Sequence, residues 1–427
     1  MPEPVISKQT LYRARYVLPI ISSLVEDGAV LVESGLIRAV GYYRDLAETH
    51  PEAVLVDFGE SVLLPPMVNA HAHLELTAFS DWAAAAGEPL APQNFVDWIL
   101  WLVRIRMDVG EDQLKASLEA GLKASLLAGT GAVGDIFTTL NAVEAYLESP
   151  LYGQVFAEVL GHDLDLIEAR LLSIKSLTVK PPAKNLGWGL SPHATYTLSA
   201  SATDLVFAFA KEFALRCTIH LAESEPESQF LRDGTGAIAD KLFSTAKWDP
   251  LLSQPPGCSP VRSLCSEGRL KEGDLIVHGV HVNPADVAML KQRGCSVALC
   301  PRSNAALNVG KAPVTDYLNA GIPLALGTDS LASSDSLSLW DELAFAVEWF
   351  AETAEPRDWL EIATLGGAKA LGIEKRMGQL APGQEASFQV VTLPYLPQVD
   401  ALEETLCASG NDVNVTHLYL AGENVLL

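Results

Sequence analysis

Five of the nine histidines lie at or just beyond the end of an apolar, strand-like run. They are His71, His73, His193, His220 and His278. His71 and His73 are two residues apart, so both side chains point to the same face if the run is a strand. Asp329 directly follows another apolar run. Imidazole and carboxylate groups brought together in this way suit a borderline-soft divalent ion such as zinc, and a catalytic site keeps one position open for water.

The first hypothesis is therefore a metal site with the ligands His71, His73, His220 and Asp329. The alternative is that these are pocket or core residues that bind no metal. Glu223 comes three residues after His220, where a carboxyl group beside an activated water could pass protons to a ring nitrogen. The alternative for Glu223 is an exposed glutamate in an acidic stretch with Glu225 and Glu227.

Eight apolar runs would position these residues, and amphipathic stretches such as 114–127, 202–213 and 286–293 separate many of them. The eight runs are residues 67–74, 132–136, 154–159, 186–191, 217–221, 275–279, 296–300 and 324–328. Repeated β-α units of this number predict a TIM (β/α)8 barrel, an α/β fold whose chemistry lies at the C-terminal ends of the strands. An open doubly wound sheet is the competing architecture.

Both ends of the chain consist of short strand-like segments and turns, unlike the middle. Residues 378–383 have turn chemistry and lead into the alternating segment 387–392, which is typical of a strand. We therefore predict that residues 1–63 and 375–427 build one small β-sandwich and that residues 64–374 form the metal-dependent barrel. Residues 244–273 read as an insertion containing proline, glycine and serine before the sixth strand.

The composition of the chain limits which binding partners and which cellular compartment are expected. The chain carries 53 acidic and 29 basic residues, and its net charge of −24 argues against nucleic acid or an anionic membrane as a partner. None of the six cysteines forms a C-x-x-C pair, which favours free thiols in a reducing compartment. The first residues lack the apolar core of a signal peptide, and no apolar run reaches the roughly 18 residues of a membrane span. A cytoplasmic protein is expected.

Several motifs, each modest alone, match a known pattern when taken together. They are residues 69–75, 191–194, 220–223, 278–281 and 326–330, with 363–368 and the turn 378–383 further along. This set resembles the amidohydrolase superfamily, in particular its cytosine/adenosine-type deaminase and chlorohydrolase branch, over nearly the whole chain. The resemblance implies a TIM-barrel hydrolase.

The resemblance also implies roles for individual residues. The metal ligands would be His71, His73, His220 and Asp329. Glu223 would shuttle protons, His278 would hold or polarise the attacking hydroxide, and Asp329 would help to orient it. Members with two metals usually have a bridging lysine on the fourth strand, and residues 186–191 contain no lysine. One divalent metal per chain is therefore expected, with zinc as the first choice and iron as the alternative.

Substrate contacts are implied for His193, Arg302, Asn304 and Glu75. Glu75 would share a face with the strand-one histidines by alternation and could bind a sugar hydroxyl. Arg302, Arg104 and Arg106 could each pair with a substrate carboxylate, although Arg104 and Arg106 also fit an amphipathic helix face. His281 is interpreted as a pocket or structural residue.

Residues 95–99 and 329–340 resemble the aminofutalosine deaminases of the alternative menaquinone pathway. Deaminases of S-adenosylhomocysteine, methylthioadenosine and adenosine share much of the pattern, and Ser334 stands where many relatives have asparagine. The expected function is hydrolytic deamination of the adenine ring of a 5′-substituted nucleoside, with aminodeoxyfutalosine as the first choice of substrate and ammonia as a product. The alternatives are those related deaminases, a guanine- or cytosine-type deaminase, a chlorohydrolase, or a non-catalytic scaffold, which would have a broken ligand set. A homodimer is compatible with the sequence, which leaves the oligomeric state open.

Overall fold

A computed structural model describes residues 9–178, 184–248 and 255–426, whose strands form two eight-stranded sheets. The first five strands are β1 (Gln9–Val17), β2 (Val25–Glu33), β3 (Leu36–Tyr42), β4 (Val54–Asp57) and β5 (Val62–Leu64). The next eight are β6 (Met67–Ala72), β7 (Thr130–Phe137), β8 (Tyr152–Val159), β9 (Leu186–Pro192), β10 (Arg216–Leu221), β11 (Leu275–His278), β12 (Ser296–Leu299) and β13 (Leu324–Leu326). The last three are β14 (Phe388–Thr392), β15 (Asn414–Leu420) and β16 (Glu423–Asn424).

Strands β6 to β13 form the predicted barrel. They are parallel and follow one another in chain order, and the first strand meets the last through a backbone bridge between Ala72 and Asp329. The side chain of Asn69 reinforces this closure, since its amide donates to Thr328 Oγ1 (2.7 Å) and its oxygen accepts from Thr328 N (3.1 Å). All eight predicted strands are confirmed, with ends that differ by at most two residues. The doubly wound alternative is wrong.

Gly327 allows β13 to approach β6 closely. A Cβ atom at this position would lie 2.8 Å from His71 Cβ and 2.9 Å from His71 O, inside ordinary van der Waals contact. Glycine therefore brings Asp329, two residues further on, to the end of the strand that carries His71 and His73.

Helices separate the barrel strands and fill the long connections. Those before β9 are α1 (Tyr43–Thr49), α2 (Phe79–Ala85), α3 (Phe95–Met107), α4 (Glu111–Leu127), α5 (Glu144–Leu147) and α6 (Leu164–Thr178). Those after it are α7 (Ala200–Glu212), α8 (Glu225–Asp233), α9 (Ser244–Ala246), α10 (Pro260–Cys265), α11 (Pro284–Arg293), α12 (Pro301–Ala306), α13 (Val314–Ala320), α14 (Leu339–Trp349), α15 (Pro356–Glu361), α16 (Gly367–Leu371) and α17 (Leu402–Ser409). The predicted amphipathic stretches fall within α4, α7 and α11, apart from one residue at the end of the second. The predicted insertion contains α9 and α10, and its residues 249–254 lie outside the described ranges.

Local sequence sets the helix ends, as α11 illustrates. The side chain of Asn283 accepts hydrogen bonds from the first free backbone N–H groups, and Pro284 occupies the first turn, where no N–H is needed. Gly294 ends the helix in the left-handed region at φ 70°, which glycine adopts without steric cost. The turn is thereby placed so that β12 begins two residues later.

The two ends of the chain share the second sheet, in the order β16-β15-β14-β5-β1-β2-β3 with β4 beside β1. The sequence predicted a small β-sandwich built from both termini; both termini do contribute strands to one unit, and these strands are hydrogen-bonded into a single continuous sheet. One face buries an aromatic cluster around Tyr12, Phe388 and Tyr419. Gln389 links this sheet to the barrel, because its amide donates to Pro65 O and its oxygen accepts from Trp340 Nε1. The domain boundaries at 63/64 and 374/375 remain a prediction.

The six cysteines form no disulfide, and all but Cys258 are buried. Within the described ranges, no helix has both the length and the apolar character needed to cross a bilayer.

Candidate active site

Four predicted ligand residues converge at the C-terminal mouth of the barrel. His73 Nε2 lies 3.2 Å from His220 Nε2, and Asp329 Oδ1 lies 3.5 Å from His71 Nε2 and 3.7 Å from His73 Nε2. His278 joins them, since one nitrogen each of His71, His220 and His278 fall within 4.8 Å of one another. Residues from four strands thus enclose a space the size of one ion.

The backbone turns sharply where these side chains leave their strands. Ala222, His278 and Asp329 have φ values of 53°, 70° and 57°, in the left-handed region that non-glycine residues rarely adopt. Each such residue costs about 1–3 kcal/mol and persists only where its surroundings hold it, a pattern concentrated at functional sites. The strain supports a site at the ends of β10, β11 and β13.

The donor set fits a divalent cation. His71 is fully buried, yet neither of its ring nitrogens has a hydrogen-bond partner among the described residues. His220 Nδ1 donates to the carbonyl oxygen of His193 (2.9 Å), which leaves the lone pair of Nε2 facing the cluster. Because a buried polar atom without a partner is costly, a cation among these nitrogens accounts for the arrangement.

Electrostatics keep these groups in the ligand-competent form. Burial, with the neighbouring His71, lowers the pKa of His73 to about 3, and burial lowers the pKa of His220 well below its usual value. Burial alone would raise the pKa of Asp329, but the neighbouring His71, His73 and His278 bring it well below the usual range. Metal ligands must be deprotonated, and near neutral pH His73, His220 and Asp329 are.

Ser303 and Ser333 orient the carboxylate of Asp329. Ser303 Oγ donates to Oδ2 at 2.6 Å, and Ser333 Oγ donates to the same oxygen at 3.3 Å. Oδ1 is therefore left to face His71 and His73. Ser303 lies between Arg302 and Asn304, which the sequence singled out, but nothing in the sequence assigned it this role.

Glu223 lies beside the cluster as a buried carboxyl group, and the residue is 5% exposed. Its Oε1 is 3.5 Å from His278 Nε2, and its backbone N–H donates to Glu227 Oε2 at 2.8 Å. Burial, followed by the charges of Asp329 and Glu227, raises the pKa of Glu223 well above its usual value. A carboxyl group that is protonated near neutral pH can act as a general acid. The alternative of an exposed glutamate is wrong for Glu223.

Asn304 was expected at the substrate, but the structure pairs it with a catalytic candidate. Its Oδ1 accepts a hydrogen bond from His278 Nδ1 at 2.9 Å, so His278 Nε2 faces Glu223. Burial lowers the pKa of His278 to about 4, so its ring is neutral near neutral pH. Asn304 therefore fixes the tautomer and orientation of His278.

The structure corrects the placement of Glu75. Strand β6 ends at Ala72, so Glu75 lies in a short 3-10 helix and strand alternation does not apply to it. Both oxygens of its buried carboxylate are occupied by the loop after β7, since they accept from Thr138 N, Thr138 Oγ1 and Thr139 N. A carboxylate with three hydrogen bonds from its own chain is poorly placed to bind a sugar.

Two of the arginines proposed for a substrate carboxylate are engaged elsewhere. Arg302 forms an ion pair with Asp335 and lies 4.0 Å from Glu342 Oε2, so it holds the loop after β13. Arg104 pairs with Glu88 on the exposed face of its helix. Arg106 lies at the barrel mouth, where it donates to the hydroxyl groups of Thr138 and Thr139.

The two remaining histidines near the site, His193 and His281, have different surroundings. His193 packs its ring 4.9 Å from that of His220, and its Nδ1 lies 3.0 Å from Thr197 Oγ1. Burial lowers the pKa of His193 to about 4, so a neutral ring faces the mouth. His281 donates from Nε2 to Val309 O at 2.7 Å, in keeping with a structural residue.

Glu342, which lies beneath the loop after β13, should make the free energy of unfolding depend on pH. The residue is fully buried, and burial raises its pKa from 4.5 to about 8. Between these values the folded state keeps a proton that the unfolded chain releases, so the parent should lose stability as pH rises. We expect Glu342→Gln to gain stability relative to the parent by up to about 1.4 kcal/mol per pH unit over this range, levelling off above pH 8. Urea denaturation from pH 5 to 9 measures this, with the exposed Glu348→Gln as the control. A constant difference across that range would show that Glu342 does not titrate there.

Comparisons with known proteins agree with this geometry. A sequence model of the amidohydrolase family matches residues 62–425. The chain is 30% identical to the aminodeoxyfutalosine deaminase of Deinococcus radiodurans, over 81% of each chain. It is 28% identical to the 5-methylthioadenosine/S-adenosylhomocysteine deaminase of Halobacterium salinarum, over 93% of this chain and 88% of that protein.

Two solved structures show the same fold. The aminofutalosine deaminase of Helicobacter pylori in complex with methylthio-coformycin has a TM-score of 0.84 at 24% identity, covering 97% of this chain and 100% of that one. The adenosine deaminase of Xanthomonas campestris with bound zinc has a TM-score of 0.78 at 23% identity, covering 98% of this chain and 92% of that one.

Proposed function

We propose a substrate for this chain, which belongs to the amidohydrolase family and is a hydrolytic deaminase. It removes ammonia from the adenine ring of a 5′-substituted nucleoside. Aminodeoxyfutalosine is the first choice of substrate, and it would place the reaction in the alternative menaquinone pathway. The observation that carries the proposal is the buried carboxyl group of Glu223, held 3.5 Å from His278 beside the histidine–aspartate cluster. Deamination of a purine ring needs such a proton donor next to an activated water.

The cofactor in this proposal is one divalent cation, zinc first and iron as the alternative. His71, His73, His220 and Asp329 would hold it, with His278 at the edge of the same cluster. When bound, the cation would activate a water molecule as the nucleophile. Elemental analysis should find about one metal per chain, and two tightly held metals or none after careful purification would contradict this.

The side chains of the site divide the remaining work. Asp329 and His278, both beside His71, orient the attacking water. Glu223 gives its proton to the ring nitrogen next to the amino-bearing carbon, which makes that carbon electrophilic. Water adds to this carbon, and its released proton passes to Glu223 or Asp329, which then gives it to the departing amino group of the tetrahedral carbon. Ammonia leaves as the ring carbonyl forms, and the proton of the hydroxyl group returns to Glu223.

The second candidate is a deaminase of S-adenosylhomocysteine or methylthioadenosine. The similarity to the Halobacterium salinarum enzyme, over 93% of this chain, favours it. Both candidates share the adenine ring and differ in the group at the 5′ position.

The free cysteines support a cytoplasmic location, because thiols persist in reducing compartments.

An ammonia-release assay on purified enzyme tests this function. The substrates are aminodeoxyfutalosine, S-adenosylhomocysteine, methylthioadenosine, adenosine, guanine and cytosine. We expect the highest kcat/KM for aminodeoxyfutalosine. A higher value for S-adenosylhomocysteine would correct the substrate within the class, whereas comparable values for guanine or cytosine would overturn the proposal.

A further inference from the structure

Glu158 faces the inside of the barrel at its mouth, and the mechanism does not use it. Phe156, two residues earlier on β8, packs in a buried cluster with side chains from β6, β7, β11, β12 and β13, which can meet only inside the barrel. Alternation along the strand gives Glu158 the same inward face, one layer closer to the mouth. It is 8% exposed.

The carboxylate of Glu158 has no close partner. Among the described residues it makes no hydrogen bond, and no arginine or lysine nitrogen lies within 4.0 Å of it. Burial, followed by the charge of Glu75, raises the pKa of Glu158 to about 7, with Arg170 and Arg106 opposing the rise. The oxygens of Glu158 are not sealed inside the protein, so they can accept hydrogen bonds from a group supplied from outside the chain.

Two guanidinium groups, one from α3 and one from α6, approach the same place, and they meet at Thr138. Arg106 Nη2 donates to Thr138 Oγ1 at 3.0 Å, and Arg170 Nη2 donates to Thr138 O at 2.8 Å. Arg170 Nε also donates to the backbone oxygen of Glu158 at 3.1 Å. The Nε and Nη1 groups of Arg106 keep their hydrogen-bonding capacity, since no bond to them is found within the described ranges.

Glu158 shares the mouth of the barrel with the proton shuttle. It is the next-to-last residue of β8, and Glu223 follows β10 by two residues, so both lie at the C-terminal ends of their strands. The charges of both, with that of Glu227, act on the buried hydroxyl group of Tyr196, whose pKa is raised well above the usual value mainly by burial.

The balance of charges around Glu158, Arg106 and Arg170 decides which kind of ligand group this subsite would bind. The positive charges of Arg106 and Arg170 are offset by the carboxylates of Glu75 and Glu158, so an anionic group would gain little net attraction and would face Glu158. A hydroxyl group both donates and accepts, and it fits between an acceptor carboxylate and free guanidinium N–H groups. Neutral vicinal hydroxyls suit the subsite better than a carboxylate does.

We propose that Glu158, together with Arg106 of α3, binds the sugar hydroxyl groups of the nucleoside and so selects ribonucleosides. Glu158 accepts the hydroxyl protons, and Arg106 donates to the hydroxyl oxygens. This inference rests on the proposed function and assigns to Glu158 the contact that the sequence had suggested for Glu75.

Competition between two nucleosides tests the assignment. Adenosine and 2′,3′-dideoxyadenosine are compared as competitors against the best substrate of the ammonia-release assay. We expect the parent to bind adenosine roughly 10–100-fold more tightly, the value of hydrogen bonds to a charged group. Glu158→Ala should reduce this preference to less than about 3-fold, and Glu158→Gln should give an intermediate value.

The control is Glu168→Ala, on the exposed face of the helix that carries Arg170, and it should keep the parent's preference. Because Glu158 is an unpaired buried acid, its replacement should not lower thermal stability at pH 8, which a melting curve checks. If Glu158→Ala keeps the parent's preference, or weakens both nucleosides equally, the assignment is wrong. A parent enzyme that deaminates no adenine nucleoside would overturn the proposed function, and this inference with it.

Discussion

We expect Glu223→Gln to lower kcat by roughly 10²–10⁴-fold while the bound metal stays near the parent's level. Glutamine keeps the size of the side chain and can still hydrogen-bond, but it cannot give up and regain a proton. The raised pKa of Glu223 supplies the protonated form that the first step needs, and its Oε1 faces His278 at 3.5 Å. Steady-state kinetics and elemental analysis on the same preparation measure both quantities.

Glu225→Gln is the matched control for this variant. Glu225 lies two residues further on, but its side chain is exposed, so both kcat and metal content should match the parent. If Glu223→Gln keeps a kcat near that of the parent, the proton shuttle lies elsewhere and the mechanism must be abandoned. A variant that loses metal as well would instead assign Glu223 a role in holding the ion.

The barrel could be predicted because its strands are buried on both faces. Strands β11 and β12, for example, bury every residue, and such strands read as short continuous apolar runs. The runs indicate where strands lie, while the exact ends depend on turn geometry. Strand β13 ends at Leu326, two residues earlier than predicted, and beyond it Asp329 pairs with Ala72 of β6 through an isolated backbone bridge.

The convergence of the ligand candidates could be predicted for a related reason. In a closed parallel barrel, residues at the C-terminal ends of different strands meet at one mouth, however far apart they are in sequence. His71 and Asp329 lie 258 positions apart, yet the structure places their polar atoms at 3.5 Å. The resemblance to the amidohydrolases is likewise confirmed, by the family match over residues 62–425. The roles of His71, His73, His220 and Asp329 as metal ligands remain a prediction.

The substrate contacts could not be predicted in the same way, because most of them lie beyond the strand ends, in the connections and helices that follow the strands. The partner of Arg302 is Asp335, 33 residues away in the loop after β13, and no strand periodicity relates the two. His278 ends β11 and Asn304 lies in α12, so residue type alone could not tell a substrate contact from a positioning contact. Loop residues acquire their partners from the three-dimensional path of the chain.

Glu158 carried a signal that sequence reasoning passed over. It is an acidic residue near the end of an otherwise apolar strand, in Val155-Phe156-Ala157-Glu158-Val159. In a barrel such a position points into the mouth when the residue two positions earlier, here Phe156, points into the barrel interior. A search for charged residues at inward positions near strand ends would have found it together with the histidines.

The largest loss is expected for His73→Ala, which should lose bound metal and deaminase activity together. His73 Nε2 lies 3.2 Å from His220 Nε2 and 3.7 Å from Asp329 Oδ1, so alanine removes one nitrogen from the centre of the donor set. The three remaining groups must then hold the cation with an incomplete shell, and affinity falls because ligand number and geometry set it. Without the cation no activated water forms, so kcat should fall below that of Glu223→Gln.

Two measurements separate loss of metal from misfolding. Elemental analysis gives the metal content, and melting curves with and without added Zn²⁺ give the stabilisation that ligand binding confers on the folded state. The parent freed of metal should regain stability on adding Zn²⁺, whereas His73→Ala should show little response while keeping a cooperative transition. His417→Ala, in the terminal sheet away from the mouth, is the control and should behave as the parent does. If His73→Ala retains one metal per chain and the parent's kcat, His73 is not a ligand, and the donor set must be redrawn around the group formed by His71, His220 and His278.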